Sequence, residues 1–181
     1  LHTTAPALTS LDLSVSGGPN DLSHKTTSSL LPLLQCPTLR RLNVRNNASI
    51  TPALLVPFVK DPRSVGRFSL QDMVTFGVNP GLVTDAVVHA YAAARCRTET
   101  TLSLHGAYAF THLPSTSALT RCVLQEVYIG GTNVRDLSPL SALVQLRRLE
   151  CCDDKGNAAP IASVAPLAQC TSLQRLGLRR C

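Results

Sequence analysis

Hydrophobic residues recur along this chain in a six-residue frame, apolar at its first, fourth and sixth positions, and the frame itself recurs seven times. It reads LTSLDL (Leu8–Leu13), LRRLNV (Leu39–Val44), VGRFSL (Val65–Leu70), ETTLSL (Glu99–Leu104), LQEVYI (Leu124–Ile129), LRRLEC (Leu146–Cys151) and LQRLGL (Leu173–Leu178). Of the 21 frame positions, 20 are apolar or cysteine, and Glu99 is the exception. Alternation with a period of two predicts a short strand in each frame, with apolar side chains on one face and polar ones on the other. Landmarks outside the frame keep the same register. Pro32, Pro139 and Pro166 each stand seven residues before a first frame leucine, and Cys36, Cys96 and Cys170 each stand three residues before a first frame position. Features at fixed offsets on a 20–50-residue period mark one structural unit used repeatedly. A single strand of this kind cannot bury its leucines, so the units must stack into a parallel sheet backed by an aliphatic core.

The segments returning from strand to strand are unequal. Frames start 31, 26, 34, 25, 22 and 27 residues apart. The 22-residue unit from Leu124 has room only for a turn or a single helical turn around Pro139. The longer units predict helices. In TPALLVPFVKD, Thr51 is the expected N-cap and Pro52 the first helical residue, with Pro57 ending or kinking the helix early. In NPGLVTDAVVHAYAAARC, Asn79 and Pro80 are expected to open a helix with Val83, Val87 and Tyr91 on one face. Gly17–Ser29 reads as a polar loop entering a short helix near Leu30–Leu34.

The frame, extended to a ninth position occupied by Asn47 in LRRLNVRNN, Thr132 in LQEVYIGGT and Cys181 in LQRLGLRRC, resembles the leucine-rich-repeat family over essentially the whole chain. LLQCPTLRRL and LAQCTSLQRLGLRRC look like the cysteine-containing subtype common in F-box substrate receptors, and GTNVRDLSPLSALVQL looks like the short internalin-type unit. The resemblance implies an α/β solenoid: a curved right-handed coil with a parallel sheet on its concave face and irregular helices on its convex face. It also implies ninth-position side chains hydrogen-bonded to neighbouring backbone, a ladder that Met73 and Ala107 interrupt. The expectation is one domain spanning residues 1–181, of about seven units starting near 8, 39, 65, 99, 124, 146 and 173. Solenoids need polar caps over their end leucines. None is visible beside Leu8–Leu13 or Leu173–Leu178, so the chain is expected to be part of something longer, with its ends covered.

Composition narrows the chemistry. The chain is 44% hydrophobic and 15% charged, which argues for a buried core over disorder. It has four Phe, three Tyr and no Trp, so that core must be aliphatic. No apolar run is long enough to predict a membrane-spanning helix. The seven cysteines are odd in number and include no C-x-x-C pair, which points to reduced thiols and an intracellular location, cytoplasmic or nuclear. Those at repeated offsets read as small buried hydrophobes, whereas strand alternation turns Cys152 outward from its neighbour Cys151. CDDKGNA (Cys152–Ala158) lacks the alternating acids of a calcium loop and reads as a solvated turn. Gly17–Gly18 and Gly130–Gly131 read as turn glycines. No phosphate-binding, dinucleotide or nucleophile-elbow motif is present, and the histidines have no metal-binding spacing. The expectation is a non-catalytic chain without cofactor, metal or small-molecule substrate.

What remains is the outward strand face. Its polar positions tile a single surface, with strands about 5 Å apart. Arg41, Asn43, Arg45, Arg67 and Gln71 come from the earlier frames, His105, Glu126 and Tyr128 from the middle, and Arg148, Glu150, Arg175 and Arg179 from the last two. Arg41, Arg45 and Arg67 form one expected basic patch and Arg148, Arg175 and Arg179 another, with Tyr128 the lone outward aromatic between them. Arg and Tyr dominate protein interfaces, and the net charge of +6 suits an acidic partner surface. The function expected is a protein-interaction module or scaffold within a larger assembly. A substrate receptor of a ubiquitin ligase is a narrower version of it. RNA is the alternative partner, with arginines following phosphates; a single stacking platform tells against it. A merely solvated sheet face is the remaining possibility.

Overall fold

The structure, a computed structural model, describes residues 8–14, 29–44, 47, 49–65, 81–95, 97–152 and 156–179. Six three-residue strands lie within them: β1 (Ser10–Asp12), β2 (Arg41–Asn43), β3 (Thr101–Ser103), β4 (Glu126–Tyr128), β5 (Arg148–Glu150) and β6 (Arg175–Gly177). Each coincides with an expected frame. All pairings are parallel, in the orders β1-β2 and β3-β4-β5-β6, with equivalent frame positions opposite each other: Leu11 faces Leu42, and Leu102, Val127, Leu149 and Leu176 form one row. Within each sheet the chain therefore advances one strand with each return, as a repeated unit requires. The strand expected in VGRFSL lies outside the described residues, apart from Val65.

Leu42, Val44, Leu102, Leu104, Val127, Ile129, Leu149 and Cys151 are buried in one continuous aliphatic core. Full burial of such a side chain stabilises by roughly 2 kcal/mol. Leu176 departs from the pattern at 40% exposed. It sits on β6, which pairs with β5 on one side only, and no described segment covers its other side.

The repeated prolines begin 3₁₀ turns. Leu31–Gln35, Ser138–Ala142 and Ala165–Gln169 each carry one near the start, where its missing N–H removes no helical bond, and each buries one leucine: Leu34, Leu140 or Leu167. Behind the strand, Gly106 and Gly131 hold the same frame position with φ of 72° and 70°, turning the chain through a conformation that suits glycine.

Helix α1 (Pro52–Lys60) starts after Thr51, whose carbonyl accepts from Leu54 and Leu55 while its hydroxyl makes no capping bond. Of the two outcomes expected of Pro57, ending the helix does not occur: the helix runs one turn further, because fully buried Phe58 and Val59 anchor that last turn in the core. Helix α2 (Asp85–Arg95) buries Val87 and Tyr91, but Val83 precedes it in a buried turn, and Asn79 and Pro80 lie outside the described residues. The two helices pack together. A one-turn helix α3 (Thr116–Leu119) is capped by the Ser115 hydroxyl, which accepts from Ala118 N–H at 3.4 Å. Among the described residues, no helix is long and apolar enough to cross a membrane.

Side chains tie successive units together. Asn47 Nδ2 donates to Leu13 O at 2.8 Å, the cross-unit bond expected of the ninth position. Thr132 behaves differently: its hydroxyl is too short to reach the next unit and donates to Ile129 O of its own, at 2.7 Å. Asn133 beside it makes the crossing instead, Nδ2 to Tyr108 O at 2.7 Å. Buried Cys170 is more than a small hydrophobe, since its thiol donates to Leu140 O one unit back at 3.2 Å, and burial raises its pKa.

Candidate interaction face

Strand pleating turns Thr101, Ser103, Glu126, Tyr128, Arg148, Glu150, Arg175 and Gly177 away from the core, and the parallel register sets them in rows. One row runs Thr101, Glu126, Arg148, Arg175, and the next runs Ser103, Tyr128, Glu150, Gly177. His105 follows β3 on the same side.

Tyr128 is the hub. Its ring lies 5.4 Å from that of His105 at an interplanar angle of 51°, and the Arg148 guanidinium carbon sits 5.1 Å from its centroid on the β5 side. The hydroxyl donates to Glu126 Oε2 at 2.7 Å. Burial, the bond to Glu126 and the negative charge of Glu126 and Glu150 raise the hydroxyl's pKa against the opposing pull of Arg148, so Tyr128 remains a neutral donor.

Glu150 organises the neighbouring strands. Its Oε1 accepts from Arg148 Nε at 3.1 Å and forms an ion pair with Arg175 Nε at 3.2 Å, and its side chain is only 14% exposed. The carboxylate occupies the space where a Cβ on residue 177 would stand, so Gly177 is what lets Glu150 lie flat between the two arginines. Nothing in the one-dimensional pattern marked that role. The signal available was a glycine at an outward strand position, where a side chain is otherwise tolerated.

The remaining candidates divide. Asn43 Nδ2 donates to Asp12 Oδ2 at 3.1 Å, directly across β1 and β2. Arg41 is exposed on β2, and Arg179 is exposed just beyond β6. Arg45, Arg67 and Gln71 lie outside the described residues, so only Arg41 of the first basic patch is placed. In the second patch Arg148 and Arg175 share one carboxylate, which makes this end a mixed-charge lattice instead of an uncompensated positive surface. Among the described residues no cluster of His, Cys, Asp or Glu is arranged to hold a metal ion. Cys152 is half-buried, is not in a disulfide, and bridges Ala158 through its backbone.

No family model matches the chain, and no curated protein matches it. Solved structures that resemble it in part include two internalins. One is an internalin from Listeria monocytogenes, 20% identical, covering 82% of this chain and 50% of that one with a TM-score of 0.40. The other is internalin C2 from the same organism, 15% identical, covering 85% of this chain and 67% of that one with a TM-score of 0.42. The chain thus spans half the length of the first. At such values neither neighbour bears on what this chain does, and its unit-by-unit order rests on the ladder registers above.

Proposed function

We propose that the chain is a leucine-rich-repeat solenoid, a non-catalytic interaction module whose outward sheet face, concave in this reading, binds a protein partner within a larger assembly inside the cell. One observation carries the proposal. Tyr128, Arg148, Glu150 and Arg175, brought from three strands, are locked to one another while still reaching solvent. A partner meeting such a surface freezes few rotamers on binding, and that saving is what preorganisation adds to affinity. Aromatic and Arg anchors are also the residue types that concentrate interface energy.

The geometry refines the partner's chemistry. The Nε of Arg175 is committed to Glu150 and its side chain is 67% exposed, so its terminal amino groups are directed donors for a partner carboxylate or carbonyl. RNA is less suited to the β4–β6 end, because phosphates there would meet Glu126 and Glu150 as well as the arginines.

Affinity purification with a wild-type bait beside a Tyr128→Ala/Arg175→Glu bait tests this. The expected result is a protein partner that survives nuclease treatment and is lost from the double variant. An unchanged partner list would refute the face as the binding site, and partners that vanish with nuclease would replace protein by RNA.

A further inference from the structure

Away from the outward face, two successive units separate. Asn133 N donates to Phe110 O at 3.0 Å and Ala162 N to Arg135 O at 3.0 Å, so backbone bonds join neighbouring units on either side of this point. Between Thr111–Leu113 and Val134–Asp136, among the described residues, there is none. Asp85, at the start of α2, draws the first segment aside. Its carboxylate accepts from Thr111 N at 2.7 Å, Thr111 Oγ1 at 2.8 Å, His112 N at 3.0 Å and His112 Nδ1 at 2.9 Å, and His89 Nε2 lies 2.9 Å from His112 O. The gap is a groove of about 410 Å³, lined by His112 and Leu113 on one side and by Asn133, Arg135, Asp136 and Pro139 on the other. Ligand sites commonly span ~300–1,000 Å³.

The polar groups of the groove are sorted. Burial alone would raise the Asp85 pKa, but the bonds from Thr111 and His112 outweigh it and hold it at about 2. An ionised carboxylate only accepts, so His112 Nδ1 carries a proton and Nε2 is the ring nitrogen left to face outward, on a side chain 79% exposed. Arg135 has an exposed guanidinium with no ion pair or hydrogen bond among the described residues. Asp136 is occupied in turning the chain, Oδ1 accepting from Ser138 N at 2.8 Å. The groove therefore offers the outward Nε2 of His112, an acceptor whenever the ring is neutral, together with a free cation and an apolar lining of Leu113 and Pro139.

We propose that this groove binds an extended peptide segment bearing an acidic side chain, the peptide N–H donating to His112 Nε2 and the carboxylate pairing with Arg135. Extended peptides are recurrently recognised through their main-chain hydrogen-bonding groups, and the charge complement of Arg135 is a carboxylate. The inference stands apart from the sheet face, whose residues it does not use.

Amide chemical shifts of the ¹⁵N-labelled protein provide the test, with three probes: the blocked tripeptide acetyl-Ala-Asp-Ala-amide, its Asn counterpart, and sodium acetate. The Asp peptide is expected to shift the amides of Thr111–Leu113 and Asn133–Asp136 saturably, and to bind about tenfold more tightly than the Asn peptide. Arg135→Gln should remove that preference. His112→Phe should weaken both peptides while leaving the response to acetate unchanged. Arg135 is exposed and makes no side-chain bond among the described residues, so Arg135→Gln keeps the test independent of the Nδ1 bond to Asp85 that His112→Phe removes. Acetate binding as tightly as the Asp peptide would overturn peptide recognition in favour of simple anion capture. Absence of saturable shifts at millimolar peptide, or shifts confined to Tyr128 and its neighbours, would overturn the groove.

Discussion

Glu99, the lone polar residue in the 21 frame positions, leads to the sharpest test of the packing. One helical turn earlier stands Arg95, whose side chain is fully buried. Its Nη2 donates to Ser64 O at 2.9 Å, its guanidinium carbon lies 4.8 Å from the Tyr91 ring centroid, and Nη1 is 3.9 Å from Glu99 Oε1. Among the described residues Nε has no hydrogen-bond partner, and burial lowers the pKa of the group. Arg95→Ala removes two buried methylenes at ~0.8 kcal/mol each and orphans the Ser64 carbonyl at ~1–3 kcal/mol. Relief of guanidinium desolvation offsets part of this, for a net loss of about 3 kcal/mol. Arg95→Met orphans the same carbonyl and removes the same buried charge but keeps the stem, so it should cost less than Arg95→Ala by the two methylenes, about 1.6 kcal/mol. Glu99→Gln leaves the cation without its anion. Stripping a buried pair of one partner costs ~3–5 kcal/mol, and the long separation and 26% exposure of Glu99 reduce that to about 1–2 kcal/mol. Arg95→Ala should be the most destabilising of the three, with Arg95→Met and Glu99→Gln each milder, read from urea unfolding by far-ultraviolet circular dichroism, provided the transition is two-state. Finding Arg95→Met as costly as Arg95→Ala would show that the polar bonds, and not the stem, hold the site. A neutral Glu99→Gln would show the ion pair to be inert.

Four further outcomes are expected. Leu149→Ala, in the fully buried middle of the four-stranded sheet, should cost about 3 kcal/mol in the same unfolding assay, and Leu176→Ala on half-covered β6 less than about 1 kcal/mol; equal losses would contradict the burial gradient. Pro57→Ala restores an N–H inside α1 and should raise the urea midpoint by the equivalent of about 1–2 kcal/mol, so a lower midpoint would mean that the proline ring itself is needed. Gly177→Val should displace the Glu150 carboxylate while leaving the strand in place, seen as loss of the hydrogen-bonded Nε–H resonance of Arg148; an unchanged resonance would deny the close approach. Asp85 has a folded pKa of about 2 against an ordinary 3.8, so its contribution is present above 3.8 and lost as pH falls through 2, amounting to about 2 kcal/mol at most; Asp85→Asn should flatten that part of the acid stability profile.

Period and offset carry far in this chain. Frame alternation depends only on which residues are apolar, and core burial obeys it, so every described strand coincides with its expected frame. The offset prolines were equally readable because a proline near the start of a turn loses nothing. Three details were not. Pro57 reads as a terminator because propensity is local, whereas the turn beyond it is held by Phe58 and Val59 packing into a core assembled from distant residues. Thr132 holds the ninth position, yet the crossing bond falls to Asn133, since the longer amide reaches the next unit and the hydroxyl does not. Val83 has the right helical spacing but lies in the turn, where burial alone accounts for its character.

The outward face shows why charge is harder to read than hydrophobicity. An apolar side chain points into one shared core, so its role survives ignorance of its neighbours. A charged one takes its meaning from residues one strand over and two positions along, which in this chain are 22 to 27 positions away in sequence. Arg148 and Arg175 counted as a positive patch until register placed Glu150 between them, and Glu150 could lie there only because residue 177 is glycine. Two cations about one carboxylate leave a net charge of one and a fixed direction for the Arg175 amino groups. Long-range steering scales with that net charge, while directed donors act only on contact. Under the proposed function, the β4–β6 end would act on a partner through directed contacts more than through attraction at a distance.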